Sequence, residues 1–431
     1  MIRFVYNLFW PIGLLFFLPG YFAKMIRRGG YREKFGQRLG IYDRELRDRL
    51  SKQRSTWLHA VSVGEVNIAL KLANALRALE PHLHCILTTT TTTGFALARK
   101  NAPPWLQPMY TPLDYWPIMR RAFSVIRPAR IVLTEAEVWP NLAGEAHTRR
   151  IPLVLANARL SPRSERRYRR FRFFVAPTLR LLDLVCVPER QEIERWAALG
   201  VDRTRIKCTG SIKYDPDAVK GHAVAALRWD ASDTFSSEHP VLFGGSTHAG
   251  EEEVLAKVFL RLRQQFPALR LFIAPRHVER LQEIRAQLGA LPLRVAFVSE
   301  AVTDGAADAD CLLLDSTGEL QRWYGIATVV FIGKSLTAHG GQNPVEPILN
   351  GKPVVFGPHM ENFATLAKTL VSNNGAAQVT DSESLERAVA ELLHDRDARN
   401  CLVENAHAAL REHQGATTRA AALIHALGSR P

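Results

Sequence analysis

The chain has 431 residues, 47% of them hydrophobic, with 27 glycines and 24 prolines scattered along it. This length and composition predict packed α/β cores in two domains and exclude a disordered chain. The formal net charge of +14 favours an acidic partner, and nucleic acid, an anionic membrane or a phosphorylated substrate would each satisfy it. The five cysteines are widely spaced and odd in number, which indicates neither a zinc site nor a disulfide framework and fits a reducing, cytoplasmic environment.

Residues 4–23 carry no charged side chain, over about the length of a helix that crosses a bilayer. Pro11 and Pro19 would interrupt such a helix, so a shallow or re-entrant anchor competes with a full span. Basic residues follow at once, and the positive-inside rule then keeps the rest of the chain in the cytoplasm. We predict an uncleaved membrane anchor and basic juxtamembrane segment over residues 1–45, with a buried amphipathic helix as the alternative.

From Trp57 to Lys213, apolar runs alternate with helical patterns, which is typical of βαβ units and a parallel sheet. Residues 214–239 lose this rhythm, are rich in Asp and Ser, and are predicted to form a linker. A second alternating series then begins and ends in a helical tail. We therefore predict an α/β fold with two doubly wound, Rossmann-like domains, residues 46–213 and 240–431, that face each other across a cleft.

Carboxylates follow two predicted strands of the first domain, where ligands bind in open α/β sheets. The segment HAVSVGE places Glu65 at a helix N-terminus, where the helix dipole favours an ionised carboxylate that can accept a proton from a substrate hydroxyl. Helix capping is the alternative. The segment TEAEVWPN places Glu135 and Glu137 at another strand end, as a paired functional site or a solvated loop. Lys213 lies in GSIKYD, where the first domain meets the linker.

The second domain carries several candidate phosphate-binding turns after its strands. Arg276 in APRH lies at a strand end, and the segments GGSTHAGEEE and DSTGEL are further strand-end loops. The Gly-rich loop from Gly333 to Phe363 precedes a predicted helix and is expected to expose backbone N–H groups to an anionic ligand, with Glu346 accepting from ribose hydroxyls. An ordinary strand-loop-helix connection is the alternative. Neither GxGxxG nor GxxxxGK[ST] is present, which argues against a dinucleotide dehydrogenase or a P-loop NTPase.

The stretch RLSPRSERRYRRFRFF, residues 159–174, interleaves seven arginines with four aromatic residues. Arginine with aromatic side chains suits a membrane interface and phosphate groups. Nucleic acid would use the same chemistry, and a solvated helix face is the plain alternative. The apolar residues 4–23 favour the membrane over nucleic acid.

Seven blocks occur in a fixed order over nearly the full chain: HAVSVGE, TEAEVWPN, GSIKYD, GGSTHAGEEE, APRH, DSTGEL and GQNPVEP. In this order they resemble the 3-deoxy-D-manno-octulosonic acid (Kdo) transferases of Gram-negative bacteria. The resemblance implies a glycosyltransferase B fold, with an acceptor-binding domain over 46–213 and a CMP-Kdo-binding domain over 240–431. It also implies inverting transfer of Kdo from CMP-Kdo to a lipid A precursor, lipid IVA, at the cytoplasmic face of the inner membrane.

The resemblance also assigns roles to residues. Glu65 would be the general base, and Glu135 and Lys213 would stabilise the transition state. The residues expected to contact CMP are Pro275, Arg276, Gly318, Glu319, Leu320, Asn343, Pro344, Val345 and Glu346. No metal-ligand cluster is evident in the sequence, so we expect turnover without a metal or cofactor. The alternatives are another membrane-associated glycosyltransferase that uses a nucleoside diphosphate sugar, and a non-enzymatic protein that binds anionic lipid.

Overall fold

The structure is a computed structural model that describes residues 3–10, 34–215, 239–300, 309–316 and 320–428. It divides into two compact units, Met1–Val219 with His413–Pro431 and Lys220–Glu412. Each unit contains a seven-stranded sheet whose strands are parallel, which confirms the predicted α/β class. The predicted linker falls almost entirely outside the described residues.

The sheet of the first unit has the strand order β3-β2-β1-β4-β5-β6-β7. Alternate residues of β1 and β4 enter two separate buried clusters, Trp57 and Ile131 in one and Leu58 and Val132 in the other. Because both faces of the sheet are covered, β1, β2, β5 and β6 are buried along their whole length. The strands are β1 Ser55–Ala60, β2 Cys85–Thr89, β3 Leu106–Tyr110, β4 Pro128–Thr134, β5 Leu153–Ala156, β6 Leu184–Val187 and β7 Ile206–Cys208.

Helices connect these strands, as the alternating sequence pattern predicts. The helix after β1 begins at Val63, because the Ser62 side chain accepts a hydrogen bond from the Glu65 N–H and caps it. The helices of this part of the chain are α1 (residues 3–10), α2 Arg44–Ser51, α3 Val63–Leu79, α4 Thr92–Asn101, α5 Trp116–Ile126, α6 Pro140–Thr148, α7 Pro162–Arg170, α8 Arg172–Leu179 and α9 Arg190–Ala198.

The sheet of the second unit has the strand order β10-β11-β9-β8-β12-β13-β14. Its strands are β8 Val241–Thr247, β9 Arg270–Pro275, β10 Val295–Phe297, β11 Cys311–Leu313, β12 Val329–Ile332, β13 Val354–Phe356 and β14 Ala377–Gln378. The helices are α10 Glu251–Leu262, α11 Leu281–Gly289, α12 Leu320–Trp323, α13 Val345–Leu349, α14 Ala364–Ser372, α15 Ser382–His394 and α16 Arg396–Arg411.

The last helix, α17 Ala416–Gly428, belongs to the first unit. Its buried residues, among them Ala420 and Ile424, join the core cluster that contains Val66 of α3. The carboxylate of Asp215 accepts hydrogen bonds from the backbone N–H groups at the start of this helix. The predicted domain of residues 240–431 includes this helix with the second sheet. In the structure it belongs to the first unit, because its apolar face packs against α3.

The N-terminal segment was predicted to be a membrane anchor. Its described part, α1, packs on the first unit: Arg3 pairs with Glu145 at 3.0 Å, and Asn7 donates to the Asn141 side chain at 2.8 Å. The apolar side chains Phe4, Leu8 and Phe9 are exposed. Residues 11–33 lie outside the described ranges. Among the helices that the structure does describe, none has both the length and the apolar character needed to cross a membrane.

Both sheets reverse their strand order at one point, between β1 and β4 in the first unit and between β8 and β12 in the second. In open α/β sheets the connections leave in opposite directions there and open a crevice at the carboxyl ends of the strands. The topology therefore marks two places to inspect for ligand-binding residues, one in each unit.

Candidate functional site

The reversal point of the first sheet brings two predicted residues together. Glu65 follows β1 in the first turn of α3, and Glu135 follows the neighbouring strand β4. Burial raises the pKa of the Glu135 carboxyl, and the Glu65 carboxylate adds to the rise. Sequence spacing of seventy residues gave no sign of this proximity, which arises from the pairing of β1 with β4.

Glu65 is 6% exposed, and both oxygens of its carboxylate accept hydrogen bonds. Its Oε1 accepts from the Ser62 hydroxyl at 2.9 Å, and its Oε2 accepts from the Val61 N–H at 3.0 Å. The Thr134 hydroxyl at the end of β4 lies 2.9 Å from the same Oε2. The helix-capping alternative is thus correct as a local description, and the same contacts give the carboxylate one orientation.

Lys213 joins this cluster from a 3₁₀ turn, Ile212–Tyr214, that follows β7. Burial lowers the pKa of its ammonium group to about 8, and the Glu135 carboxylate opposes that shift. For Glu135 itself, burial raises the pKa and the Glu65 carboxylate adds to the rise, while Lys213 and Arg159 oppose it. Glu135, Lys213 and Glu65 therefore form one charged cluster within the first unit.

Two further residues belong to this cluster. Burial raises the pKa of Glu137 to about 7, and the carboxylates of Glu65 and Glu135 add to the shift. The Arg159 guanidinium acts on both Glu135 and Lys213 and lies 3.5 Å from the Tyr214 hydroxyl. In the sequence Arg159 is only the start of an arginine-rich stretch, since its proximity to Glu135 and Lys213 depends on the strand order of the sheet.

The Gly-rich loop of the second unit follows β12 at the other reversal point. The fully buried Glu251, in the first turn of α10, accepts hydrogen bonds from the backbone N–H groups of Lys334, Ser335 and Leu336 at 2.7 to 3.0 Å. The same carboxylate accepts from the His248 N–H at 2.9 Å. These N–H groups are therefore satisfied by the protein itself, which corrects the expectation that the first part of this loop offers them to an anionic ligand.

The later part of the loop carries the predicted Asn-Pro-Val-Glu segment. Asn343 donates to Glu346 Oε1 at 3.0 Å and accepts from the Val345 N–H at 3.1 Å, so the segment starts α13 in one conformation. Pro344 is the residue before that helix and is buried. Glu346 is half-buried. Tyr324 is fully enclosed, and its burial raises the pKa of its hydroxyl above the ordinary range; the Glu346 carboxylate adds to this rise.

The other residues that are expected to contact CMP follow two further strands, at the same edge of this sheet. Pro275 is the buried last residue of β9, and Arg276 is exposed, with its N–H donating to the Thr247 carbonyl at 3.0 Å. Leu320 begins α12 after β11. Gly318 and Glu319 lie outside the described residues. Since the strands are parallel, their carboxyl ends place Arg276, Leu320 and the Asn343 segment at one edge of the sheet.

The first unit also contains a cavity of about 650 Å³ beside α1 and α8. Three arginines and several apolar side chains line it: Arg3, Pro140, Arg172, Phe173, Ala176, Pro177, Thr178, Arg180 and Leu181. Phe171, Phe173 and Phe174 are exposed at about half of their surface or more. Most of the arginine and aromatic residues of the stretch 159–174 therefore lie on α7 and α8, where they form a combined cationic and apolar surface.

Metal-ligand residues also meet in the second unit. Within the described ranges, His339, His359 and Glu361 have coordinating atoms within 4.8 Å of one another. The sequence pattern indicates no metal-ligand cluster, because His339 lies about twenty residues before His359 and Glu361 and spacing alone does not reveal the contact.

Comparison with known proteins identifies the family. The sequence profile described as 3-deoxy-D-manno-octulosonic-acid transferase (kdotransferase) matches residues 33–216. A 3-deoxy-D-manno-octulosonic acid transferase of Haemophilus influenzae is 32% identical over 392 residues, 90% of each chain. One from Bordetella pertussis is 32% identical over 84% of this chain and 85% of its own. One from Chlamydophila psittaci is 27% identical over 96% and 94%.

Solved structures show the fold that these sequences share with more distant proteins. Anabaena HepE in complex with UDP superposes with a TM-score of 0.57 at 15% identity, over 87% of this chain and all of its own. The UDP-GlcNAc 2-epimerase of Neisseria meningitidis gives a TM-score of 0.56 at 11% identity, over 87% and 99%. The resemblance of the seven sequence blocks is confirmed by the relatives above, and the chain belongs to the 3-deoxy-D-manno-octulosonic acid transferase family of glycosyltransferases.

Proposed function

We propose that this protein transfers Kdo from CMP-Kdo to a lipid A precursor, lipid IVA, with inversion at the anomeric carbon and without a metal. Membership of the Kdo transferase family supports the donor sugar. The observation that carries the chemistry is the cluster of Glu65, Glu135 and Lys213 at the reversal point of the first sheet. Such a cluster offers a base and a paired set of charges for a displacement reaction.

Glu65 acts as the general base. As the acceptor hydroxyl oxygen bonds to the anomeric carbon of Kdo, its proton passes to the carboxylate, and the bond from that carbon to the phosphate of CMP breaks. CMP leaves with the electron pair, and attack from the opposite face inverts the configuration. The hydrogen bonds from Val61 and Ser62 support this role, since they hold the carboxylate in one position before the substrate arrives.

Glu135 and Lys213 stabilise the transition state. The sugar ring gains positive charge as the phosphate departs, and a carboxylate near the ring lowers the energy of that state. The ammonium group of Lys213 opposes the negative charge that develops on the leaving group. The mutual effect of these two side chains on their pKa values supports placing them at one reacting centre.

The second unit binds CMP. In this proposal Arg276 pairs with the phosphate and Glu346 accepts hydrogen bonds from ribose hydroxyls. The fixed conformation of the Asn343 to Glu346 segment supports this assignment. Pro275, Pro344, Val345 and Leu320 complete the site, with Gly318 and Glu319 assigned by the family resemblance.

The acceptor lipid and the membrane surface meet the first unit. The arginine-lined cavity suits the phosphate groups of the acceptor, and its apolar lining suits acyl chains. The exposed aromatic residues of α1 and α8 favour a membrane interface over nucleic acid, since acyl chains bury them while a phosphate backbone does not. We therefore place the protein at the cytoplasmic face of the inner membrane, with an anionic lipid surface as its partner.

The direct test incubates the full chain with freshly made CMP-Kdo and tetraacylated lipid A precursor and follows the mass of the lipid. We expect the mass to rise by one or more Kdo residues. Unchanged lipid mass would count against the proposal, and transfer from a UDP-sugar in place of CMP-Kdo would favour the nucleoside diphosphate alternative. Calorimetry can compare the affinities of the protein for CMP and for UDP. Tighter binding of CMP would support the CMP-Kdo donor, and tighter binding of UDP would favour the nucleoside diphosphate sugar.

A further inference from the structure

Two histidines and a glutamate from separate segments meet beside the Gly-rich loop. His339 lies in the loop after β12, whereas His359 and Glu361 follow β13. Glu361 Oε1 lies 3.2 Å from Nδ1 of His339 and 3.4 Å from Nδ1 of His359. The centroids of the two imidazole rings are 3.9 Å apart. One carboxylate oxygen thus faces one nitrogen of each ring.

These distances can be compared with those of a hydrogen-bonded cluster and of a metal site. A charge-assisted hydrogen bond from an imidazolium to a carboxylate is about 2.7 to 2.9 Å long. Two ligands on one tetrahedral zinc ion, with bonds of about 2.0 to 2.1 Å, are about 3.3 Å apart. The 3.4 Å distance from Glu361 Oε1 to His359 Nδ1 matches the edge of such a tetrahedron and exceeds the usual length of an N–H···O hydrogen bond. The 3.2 Å distance to His339 Nδ1 fits both the tetrahedron edge and a long hydrogen bond.

Backbone contacts hold the two segments together. The Gly340 N–H donates to Glu361 Oε2 at 2.6 Å, which leaves Oε1 directed at the histidines. The His359 N–H donates to the Ser335 carbonyl at 3.0 Å, and the Asn362 N–H donates to the Gly340 carbonyl at 2.8 Å. Supporting hydrogen bonds of this kind orient metal ligands before the ion binds.

We propose that His339, His359 and Glu361 form a binding site for a divalent transition metal ion of the Zn²⁺, Co²⁺ or Ni²⁺ type. Two imidazoles and one carboxylate suit these ions, whereas Mg²⁺ prefers oxygen ligands. Water completes the coordination, because His339 is largely exposed. The bound ion ties the Gly-rich loop to the segment after β13, as a structural clip that takes no part in sugar transfer.

The test uses tag-free full-length protein that has been dialysed against a chelator. Calorimetric titration with ZnCl₂ is expected to show saturable binding of a single equivalent, and Co²⁺ is expected to give visible absorption bands of a site with nitrogen ligands. A large excess of Mg²⁺ should not displace either ion. Absence of saturable Zn²⁺ binding would overturn the proposal.

Variants locate the ion. His359→Ala and the double variant with His339→Ala are expected to bind Zn²⁺ at least about tenfold more weakly. Glu361→Gln, which keeps an acceptor for the Gly340 N–H, serves as a second ligand variant if the alanine variants fold poorly. The matched control is His394→Ala, an exposed histidine at the end of α15 in the same unit. Equal Zn²⁺ affinity in the control and the ligand variants would contradict the assignment, whatever the outcome of the transferase assay.

Discussion

The Glu65 side chain combines two roles at one position. Its carboxylate accepts from a neighbouring backbone N–H and from the Ser62 hydroxyl, and it lies in the first turn of α3, where the helix dipole favours negative charge. A helix start that follows a sheet strand is thus both locally stable and directed at the place where ligands bind. The same residue therefore serves the fold and, in our proposal, the reaction.

Replacing the base tests its role directly. Glu65→Gln keeps one side-chain oxygen, which can accept from the Val61 N–H, while its amide NH₂ group faces the Ser62 hydroxyl. The amide accepts no proton, so we expect kcat to fall by about a hundredfold or more. The measurement is the initial rate of Kdo transfer, with circular dichroism as the check on folding. Glu194→Gln, an exposed glutamate on α9, is the matched control and should retain the wild-type rate. A folded Glu65→Gln variant that is as active as wild type would remove the assigned base.

The lowered pKa of Lys213 predicts a pH dependence. Burial shifts that pKa to about 8, and the protonated form is the one that opposes negative charge on the leaving phosphate. As pH rises through about 8 the cation is lost, so kcat/KM should fall on the alkaline side. Lys213→Arg keeps its charge at high pH and should move this limb upward by at least about one pH unit. An alkaline limb that stays in place in the variant would contradict the assignment to Lys213.

At the scale of elements, the last helix returns to the first unit through specific contacts. Asp215 accepts hydrogen bonds from the N–H groups of Gly415 and Thr417, and Glu80 accepts from Arg130 and His425. The Asp215 contacts cap the start of α17, and the contact between Glu80 and His425 ties the end of that helix to the rest of the first unit. An alanine-rich helix gains most of its stability from such caps and from its buried face.

Removing the cap should loosen this helix. Asp215→Ala leaves the N–H groups of Gly415 and Thr417 without their acceptor and is expected to lower the free energy of unfolding by about 1 to 2 kcal/mol. Asp215→Asn, which keeps one acceptor oxygen, should lose less. Urea denaturation, together with hydrogen exchange in α17, measures both changes. An Asp215→Ala variant as stable as wild type would show that the cap contributes nothing to stability.

At the scale of the whole molecule, the net charge of +14 and the exposed aromatic residues predict binding to anionic vesicles. The interaction should weaken as salt screens the charges. Phe173→Ser removes one exposed apolar side chain at the arginine-lined cavity. Because the membrane would bury this phenyl ring, its loss should weaken vesicle binding by about tenfold. Sedimentation with vesicles measures it, with Leu79→Ser as the control at another exposed apolar position. Equal affinity in the two variants would argue against a membrane role for this surface.

Metal independence is a second prediction for the whole enzyme. Thorough chelation should leave the rate of Kdo transfer unchanged, because in our proposal the charges of Glu135, Lys213 and Arg276 supply the stabilisation that a metal would otherwise give. Loss of activity that a divalent ion restores would refute it. Binding of Zn²⁺ at His339, His359 and Glu361 with unchanged turnover is the combined outcome that we expect.

The sequence by itself determined the α/β class, the boundaries of many strands and the positions of Glu65, Glu135 and Lys213 at strand ends. Apolar runs and helix-start residues are local signals, so hydrophobic periodicity and capping are enough to find them. The ordered blocks also pointed to the family, since most of them contain residues that follow a strand, where ligand-binding residues occur in open α/β sheets.

Only the tertiary structure decided which of these residues meet. Strand order brings Glu65 beside Glu135. The apolar face of α17 packs in the core of the first unit. Glu251 accepts hydrogen bonds from backbone N–H groups of the Gly-rich loop. The His339, His359 and Glu361 cluster likewise depends on how two loops pack. Such contacts join residues that are distant in sequence and arise from sheet pairing and burial, which a local pattern does not specify.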